Sequence, residues 1–546
     1  MTPLITVNRF PTIRAIGARP TGRAALLAAL LFAGSVEAGG AAEIELTPLQ
    51  ERGKQIYTSG TSPNKNKLKA LIGNPSIEVA ASLMACVNCH GETGLGNPEG
   101  GVVPSNLQWA ELTKPYTLEA RKGRLRGPYS VSRLKLAIAM GTDSSGNELE
   151  AAMPRYRMSP EDMDALIDYL KVLGTDHDDG ISENSVTIGV VLAPTRQLRS
   201  MHDSVRAIID AAFAPINAEG GIFGRRIEVR FFNAPADPAR RGPFYKALLD
   251  DQKLFALLSC FTVGAEKEAD ELTRSKKIPM LDAQTLFPDV SYPLNRYIFH
   301  LAPGIEGEAI ALLQHLQGMT AAGSKRVAIV YPDRDQLAAV AAALAKRAAN
   351  SVGPKIVKLP ISSARMNVSS IAAELGKTKV DAVLLLGFSP QIAELAQRLE
   401  AWPEPPAILL PISQVPRDVF RLPAAFDRRI FVSFSRLPVP TNRAAREQFQ
   451  RMAREYRIPA GNKSAQFAAL SACHLLIDGL RAAGSEPSRE KLIQHLEKRH
   501  RFETGFTEPM TFSPNRRIGA NGAFILSVDL KNRTFLPPDK WIEITP

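Results

Sequence analysis

Beyond its first forty residues, the 546-residue chain has no apolar run long enough to cross a bilayer. It has only four cysteines, and beyond one Cys-x-x-Cys pair no second pair lies at the spacing of a zinc site. It lacks a Ser-His-Asp order, an HExxH sequence and a phosphate-binding loop, which argues against hydrolase and transferase chemistry. Its net charge of +12 is diffuse, without interleaved aromatics or a nucleic-acid-binding motif. These absences predict a soluble protein with no nucleic-acid partner.

Residues 1–38 have the pattern of a secretory signal peptide. Four arginines without an acid precede the apolar stretch Ala24–Gly34, and Val36-Glu37-Ala38 satisfies the small-x-small cleavage rule. The apolar stretch is too short to span a membrane, which favours cleavage over an uncleaved anchor. We therefore expect cleavage near Ala38, a periplasmic protein, and no transmembrane segment in the mature chain.

The chain divides at the polar segment 174–185, which we interpret as a linker. Residues 43–173 read as short helices joined by long irregular loops, so an all-α domain is expected there. Residues 186–546 alternate short β-rich runs with amphipathic helices. Alternation of this kind predicts parallel sheets with helices on both faces. The predicted fold is therefore multidomain, with an all-α domain followed by a larger α/β domain, in which two similar lobes would be consistent with the pattern.

The segment Cys86-Val87-Asn88-Cys89-His90 predicts covalent attachment of one haem c. The two thiols add across the haem vinyl groups, and the adjacent imidazole takes an axial position on the iron. A thioredoxin-like pair needs a βαβ context, which is missing here, and half a zinc site needs a second Cys pair. A chance match is the remaining alternative. The export signal opposes it, because it takes the motif to the compartment where haem c is attached.

Methionine is the expected sixth ligand of the iron. Five methionines lie in this region: Met84, Met140, Met153, Met158 and Met163. Met153 is favoured because Pro154 biases it towards an extended backbone in the loop before the last helix. Met163 falls on the apolar stripe of that helix, and Met158 is near it, so both are expected to pack in the core. The alternative of two histidine ligands would need His177, which lies in the linker.

Residues 48–173 resemble class I cytochromes c, in which a Met-Pro loop ahead of the C-terminal helix supplies the distal ligand. The matching residues are Cys86, Cys89, His90, Gly91, Gly94, Gly96 and Met153-Pro154-Arg155-Tyr156. The resemblance implies axial ligation by His90 and Met153, which favours electron transfer over oxygen chemistry. The chain departs from a minimal cytochrome by an insertion after Gly96 that includes Gly100–Leu107. Six basic residues between Arg121 and Lys135 are candidates to hold the haem propionates or dock an acidic partner, or are merely a solvated face.

A second resemblance begins at Pro215–Glu228, where a helix ends at Gly220-Gly221 and the chain reverses into a strand. This Asn-x-x-Gly-Gly-Ile-x-Gly-Arg pattern is similar to that of the type I periplasmic binding proteins of the leucine/isoleucine/valine-binding class. The resemblance covers nearly all of 186–546, including Val327–Tyr331, Asp381–Gly387 and Met510–Pro514. It implies two lobes, of about 186–303 with 433–510 and 304–432 with 511–546. A small solute is then expected in the cleft between them, beyond the carboxyl ends of the strands.

In that family, Ser/Thr hydroxyls and helix-start N–H groups hold the α-carboxylate of an amino acid. The equivalent residues here are Thr262 and Thr285, but the usual Ser-x-Ala-Thr appears as Asp282-Ala-Gln-Thr285. The change introduces an acid where a carboxylate would be received, which leaves an amide, alcohol, amine or other neutral or cationic ligand open. Tyr331 and Phe388 are the candidates from the other lobe. Ordinary packing at strand ends is the alternative for each of these residues.

Three functions fit the sequence. The first is an electron-transfer cytochrome that binds a small solute and serves a periplasmic dehydrogenase, another cytochrome or a respiratory chain. The second is a substrate-binding protein for an ABC permease, with amino-acid or amide transport as the example and the haem as a redox regulator or docking module. The third is an enzyme that oxidises the cleft ligand, which requires a base in the cleft and a nearby haem; the sequence shows neither. The protein is therefore expected to be a carrier and binding protein rather than an enzyme.

Overall fold

The structure is a computed structural model that describes residues 46–544, apart from 65–66, 74–75, 97, 99–100, 120–123, 175–177, 319–324, 334, 351–352, 362–366, 388–390, 416–417 and 539. The predicted signal peptide, His177 and Phe388 lie outside the described residues. Within the described ranges, no helix combines the length and apolarity needed to cross a membrane.

The described residues of the first region form five α-helices: α1 Pro48–Ser59, α2 Cys86–His90, α3 Trp109–Leu112, α4 Val131–Met140 and α5 Pro160–Leu170. Short antiparallel strands accompany them. These are β1 Lys69–Ile72, β2 Ile77–Ala80, β3 Leu118–Glu119, β4 Leu125–Arg126 and β5 Arg155–Arg157, with β1 between β2 and β5, and β3 paired with β4. The helical character predicted for this region is confirmed, with the strands as an unpredicted addition at its edge.

Helices α1 and α5 pack closely, and their sequences explain both their starts and their contact. Thr47 and Gln50 form a capping box at α1, and the Ser159 hydroxyl accepts the N–H of Asp162 at α5. A Cβ at Gly53 would overlap the carbonyl oxygen of Ala165, so only glycine permits this approach of the two backbones. The packing of these helices closes the core of the first region.

The α/β region begins with a sheet of five parallel strands in the order β10-β9-β8-β6-β7. The strands are β6 Ser185–Leu192, β7 Arg226–Asn233, β8 Ala256–Leu258, β9 Met280–Leu281 and β10 Ile298–Phe299. The helices between them are α6 Thr195–Ala218, α7 Arg241–Asp251 and α8 Glu266–Lys276. Every residue of β6 is buried, as expected for a central strand covered on both faces.

A second sheet follows, with the order β12-β11-β13-β14-β15-β16-β17 and β18 paired to β16. Its strands are β11 Arg326–Pro332, β12 Lys355–Ile361, β13 Ala382–Leu385, β14 Ala407–Pro411, β15 Ile430–Phe434, β16 Gly522–Asp529, β17 Thr534–Phe535 and β18 Trp541–Glu543. Its helices are α9 Gly304–Gly318, α10 Asp335–Ala349, α11 Val368–Thr378 and α12 Ile392–Glu400. Strands β11 to β15 are parallel, so the predicted two-lobed fold with parallel sheets is confirmed.

The chain returns to the first sheet between β15 and β16, with α13 Arg443–Glu455, α14 Lys463–Ala483 and α15 Arg489–Glu497. These helices share one core with the strands of the first sheet. Phe512 and Ala520 also belong to that core, whereas β16 belongs to the second sheet. The crossing from the first lobe to the second therefore lies just before Gly522 in the structure.

The second half of the predicted linker is packed on the first lobe. Ile181 is buried in the core of that lobe, and Gly180 has a left-handed backbone in which a Cβ would overlap the nitrogen of Phe255. Asp178 accepts the backbone N–H of Arg489 at 2.6 Å. The Arg489 guanidinium donates to the carbonyl oxygens of Leu254, Phe255 and Lys276. The described linker residues from 178 onward are thus held rather than free.

Candidate haem site and solute-binding cleft

The helical region encloses a cavity of about 450 Å³. Its size is within the roughly 300–1,000 Å³ of small-molecule and cofactor pockets. Cys86, Cys89 and His90 line it from α2, and Met153 lines it from the loop before β5. Much of the remaining wall is apolar: Leu107, Leu112, Leu134, Ile138, Leu166 and Leu170. The structure therefore brings all four predicted haem residues around one apolar cavity.

His90 is oriented by a backbone contact. Its Nδ1 lies 2.9 Å from the carbonyl oxygen of Ser105, which fits an Nδ1–H donor and a neutral ring whose Nε2 keeps its lone pair. Burial lowers the pKa of His90, opposed by the hydrogen bond to Ser105, and so favours the neutral imidazole. Ser105 belongs to the insertion that distinguishes this chain from a minimal cytochrome. One role of that insertion is to fix the imidazole, as an outer partner of a metal-ligating histidine does.

Two tyrosine hydroxyls hold the attachment segment at its ends. The Tyr156 hydroxyl donates to the carbonyl oxygen of Met84 at 2.5 Å, and the Tyr57 hydroxyl donates to that of Gly91 at 2.6 Å. Burial raises the pKa of the Cys86 thiol to about 11, the opposite of the lowered pKa that dithiol oxidoreductases need. The segment is thus held at both ends, and its Cys86 is a poor thiolate, which opposes the thioredoxin-like alternative.

Among the five methionines, only Met84 and Met153 line the cavity. Met163 is buried in the core, and Met140 is 68% exposed. The Arg155 guanidinium donates to the carbonyl oxygens of Met153 and Leu149 and so ties the Met153 loop in place. This geometry places Met153, and not Met140, Met158 or Met163, at the cavity, where Met84 is the other thioether.

The donor set and the walls of this cavity fit haem c. A Cys pair, an imidazole with a free nitrogen and a thioether meet in an apolar enclosure, and Arg124 and Arg126 also line it. Arg126 is buried with its guanidinium 5.2 Å from the centre of the Tyr129 ring. These two arginines are the members of the predicted basic cluster that reach the cavity among its described residues, so they are the candidates to face the propionates.

In the first lobe, two of the predicted cleft residues are buried and engaged with protein. Thr262 is buried, and its hydroxyl donates to the carbonyl oxygen of Gln284 at 3.4 Å. Asp282 accepts the Ser259 hydroxyl at 2.8 Å and lies 3.9 Å from the Arg436 guanidinium. Burial raises the pKa of Asp282, with Arg436 and Ser259 acting in the opposite sense. Asp282 therefore belongs to a buried polar cluster rather than to an open ligand surface.

Thr285 is also engaged, by a residue that the sequence pattern did not single out. Its hydroxyl donates to Glu266 Oε1 at 3.0 Å, and the Gly264 N–H donates to Glu266 Oε2 at 2.8 Å. In the second lobe, Tyr331 is buried at the end of β11, and Phe388 lies outside the described residues. The only sequence signal for Glu266 was its place at the start of a helix that follows a strand.

A buried polar contact between Glu308 and Ser435 lies where the chain leaves β15 towards the first lobe. Glu308 of α9 is buried and accepts the hydroxyl of Ser435, the residue after β15, at 2.8 Å. Burial raises the pKa of Glu308 to about 7, and the contact with Ser435 opposes the shift. Cys260 and Cys473 are buried, unpaired thiols.

Residues 185–533 match the family model described as periplasmic binding protein, and residues 77–174 match the one described as cytochrome c. The chain belongs to the periplasmic binding protein family. Its binding-protein domain is preceded by a cytochrome c domain, a type of domain that carries covalently bound haem.

Solved structures resemble the binding-protein domain in fold. A fatty acid ABC transporter substrate-binding protein from Thermomonospora curvata is 18% identical, with a TM-score of 0.52, over 67% of this chain and 95% of that one. A branched chain amino acid ABC transporter protein from Thermus thermophilus, with bound valine, is 16% identical, with a TM-score of 0.53, over 66% and 97%. A type 1 periplasmic binding protein from Bordetella pertussis Tohama I is 18% identical, with a TM-score of 0.52, over 66% and 100%. Among curated protein sequences, none matches the chain.

Proposed function

We propose that the protein is an exported electron-transfer cytochrome that also binds a small solute between its two lobes. The observation that carries the proposal is the convergence of Cys86, Cys89, His90 and Met153 on one apolar cavity. One haem c held there by Cys86, Cys89, His90 and Met153 would supply one-electron chemistry. A periplasmic dehydrogenase, another cytochrome or a respiratory chain is the proposed redox partner.

The chain's own residues support this use of the cavity. Ser105 fixes the imidazole of His90, and Arg155 fixes the loop of Met153, so both candidate ligands are oriented before any cofactor binds. The apolar walls limit water at the site, and a haem held by both His90 and Met153 would leave no open place for oxygen. Both features favour electron transfer over oxygen activation.

Successive segments of the chain have different proposed roles. We propose a signal peptide at 1–38, a cytochrome domain at 43–173, a linker at 174–185 and a ligand-binding domain at 186–546. The family and the parallel sheets support a solute site at the carboxyl ends of the strands. The family also supports a periplasmic location.

A transporter-type role is the second candidate. It is favoured by the similar structures, since two of those named above are ABC transporter proteins. In that role, the solute is passed to an ABC permease, and the haem serves as a redox regulator or docking module. Permease and ATPase genes beside this one would favour transport, whereas a quinoprotein dehydrogenase gene would favour respiration.

Haem attachment is tested by Cys86→Ala with Cys89→Ala. The double variant should show no band on a haem-stained denaturing gel, whereas the wild type and a Cys473→Ala control should show one. A persistent band in the double variant would refute the proposed attachment site. Reduction of the haem by a cleft ligand without another protein would instead show that the chain is an enzyme.

A further inference from the structure

Polar groups lie at the carboxyl ends of β8 and β9, the edge of the first sheet at which a solute is expected. Gly264 lies just before α8, and Thr285 lies just after β9. A backbone N–H at a helix start and a nearby hydroxyl are the donors that bind a carboxylate or phosphate in proteins. At this place they converge on a carboxylate of the chain itself, that of Glu266.

Glu266 uses both of its oxygens in this contact. Oε2 accepts the Gly264 N–H at 2.8 Å, and Oε1 accepts the Thr285 hydroxyl at 3.0 Å. A threonine hydroxyl has a single O–H donor, and in Thr285 this donor is taken by Glu266. The same oxygen accepts the N–H of Phe287 at 3.0 Å. An incoming carboxylate would find both donors engaged.

Two arginines, Arg241 and Arg436, lie near these strand ends and contact other groups of the protein. Arg241 directs its guanidinium to the carbonyl oxygens of Pro235, Ala236 and Val263. The Arg436 guanidinium lies 3.9 Å from Asp282, and its Nη1 is buried without a hydrogen-bond partner among the described residues. A ligand carboxylate at the start of α8 would meet the carboxylate of Glu266, which already takes the two donors there.

We propose that Glu266 is a specificity-determining residue that fills the anion position of the cleft with the protein's own carboxylate. The solute then presents an ammonium, or a neutral hydrogen-bond donor such as an amide or alcohol, to this end of the cleft and carries no carboxylate there. The inference rests on the solute-binding function proposed above, and it names the ligand class of that site.

The first test asks whether Glu266 fills an anion site. In the full-length, haem-loaded Glu266→Ala protein, acetate should raise the melting temperature in a saturable way, because it replaces the missing carboxylate between Gly264 and Thr285. The wild type should not respond. Glu271→Ala is the matched control, since this side chain lies on the same helix, is 65% exposed and pairs only loosely with Lys267 at 3.9 Å. An equal response of all three proteins to acetate would overturn the proposal.

The second test asks which head group binds. Butylamine, butyramide and butyrate, with homologues of longer tail, are titrated into the same proteins by calorimetry. The wild type should bind the amine or amide at least about tenfold more tightly than the carboxylate, and Glu266→Ala should lose that preference. Carboxylates binding the wild type as tightly as amines would overturn the inference while leaving solute binding intact. Failure of every head group to bind would overturn solute binding itself, and the acetate result would still decide the role of Glu266.

Discussion

Ser488, the residue that caps α15, donates its hydroxyl to the carboxylate of Glu92, the second residue after His90. This contact joins the haem-attachment segment of the cytochrome domain to a helix start of the first lobe. Asp178 of the linker meets the same helix start through Arg489. Two carboxylates thus lie at the positive end of the helix dipole, which offsets part of their mutual repulsion. Burial raises the pKa of Glu92, and Asp178 and Glu490 act in the same sense, against the hydrogen bond from Ser488.

Variants of Ser488 should distinguish its capping of α15 from its contact with Glu92 at the domain junction. Ser488→Asp keeps an N-cap acceptor for Lys491 but places a second carboxylate against Glu92, so the cytochrome domain should loosen and the linker should be cut faster in limited proteolysis. Ser488→Thr retains both contacts and is the control. Unchanged cleavage in Ser488→Asp would show that the Glu92 contact contributes nothing to the junction.

Replacing Met153 should change the haem spectrum. Met153→Ala should remove the weak near-infrared sulfur-to-iron band of the ferric protein, because the thioether is the proposed sixth ligand. Met84→Ala should keep the band although Met84 also lines the cavity, and exposed Met140→Ala serves as the neutral control. A band that survives in Met153→Ala but disappears in Met84→Ala would move the ligand to Met84.

Enlarging Gly53 should destabilise the cytochrome domain. Gly53→Ala forces a methyl group into the carbonyl oxygen of Ala165, and overpacking of this kind costs about 1–3 kcal/mol. The loss should appear as a lower melting temperature at the haem absorption band. Gly127→Ala, where the nearest atom to a new Cβ is 3.9 Å away, is the matched control and should change little.

Glu308 should make stability depend on pH. Burial raises the folded pKa of Glu308 to about 7 from the usual glutamate value of 4.5, so the folded state holds the proton more tightly than the unfolded chain. The stabilising contribution is present below pH 4.5 and is lost as pH rises towards 7, up to about 3 kcal/mol. Glu308→Gln keeps an acceptor for Ser435 and should flatten this dependence in urea unfolding at pH 5 and pH 8. An identical slope in the variant would assign the dependence to other groups.

The parts of the fold that depend on local sequence were predictable. The cap at Ser159 and the alternation of strands with helices each have their cause within a few neighbouring residues. The Cys-x-x-Cys-His spacing likewise places Cys86 and His90 on one short helix at the cavity. A site formed by one contiguous segment can be predicted from the sequence, because the local backbone of that segment sets the positions of its residues.

The polar partners in the cleft were not predictable, because they come from distant parts of the chain. Asp282 suggested a ligand contact by its place after a strand, but the structure buries it beside Ser259 and Arg436, which enters from the crossing after β15. Glu266 and Thr285 meet only because β8 and β9 end side by side. Likewise, no pattern paired His90 with Ser105 across the insertion.

The anchoring of the linker has a consequence for observing the protein at work. Gly180 and Ile181 hold the linker on the first lobe, and Glu92 of the cytochrome domain accepts the Ser488 hydroxyl of that lobe. A hinge motion between the lobes would then change the distance from Cys86 to the second lobe while leaving its distance to the first lobe unchanged. A ferric haem at Cys86 would be an intrinsic paramagnetic probe. The relaxation rates of nuclei in the second lobe would then report solute-driven closure.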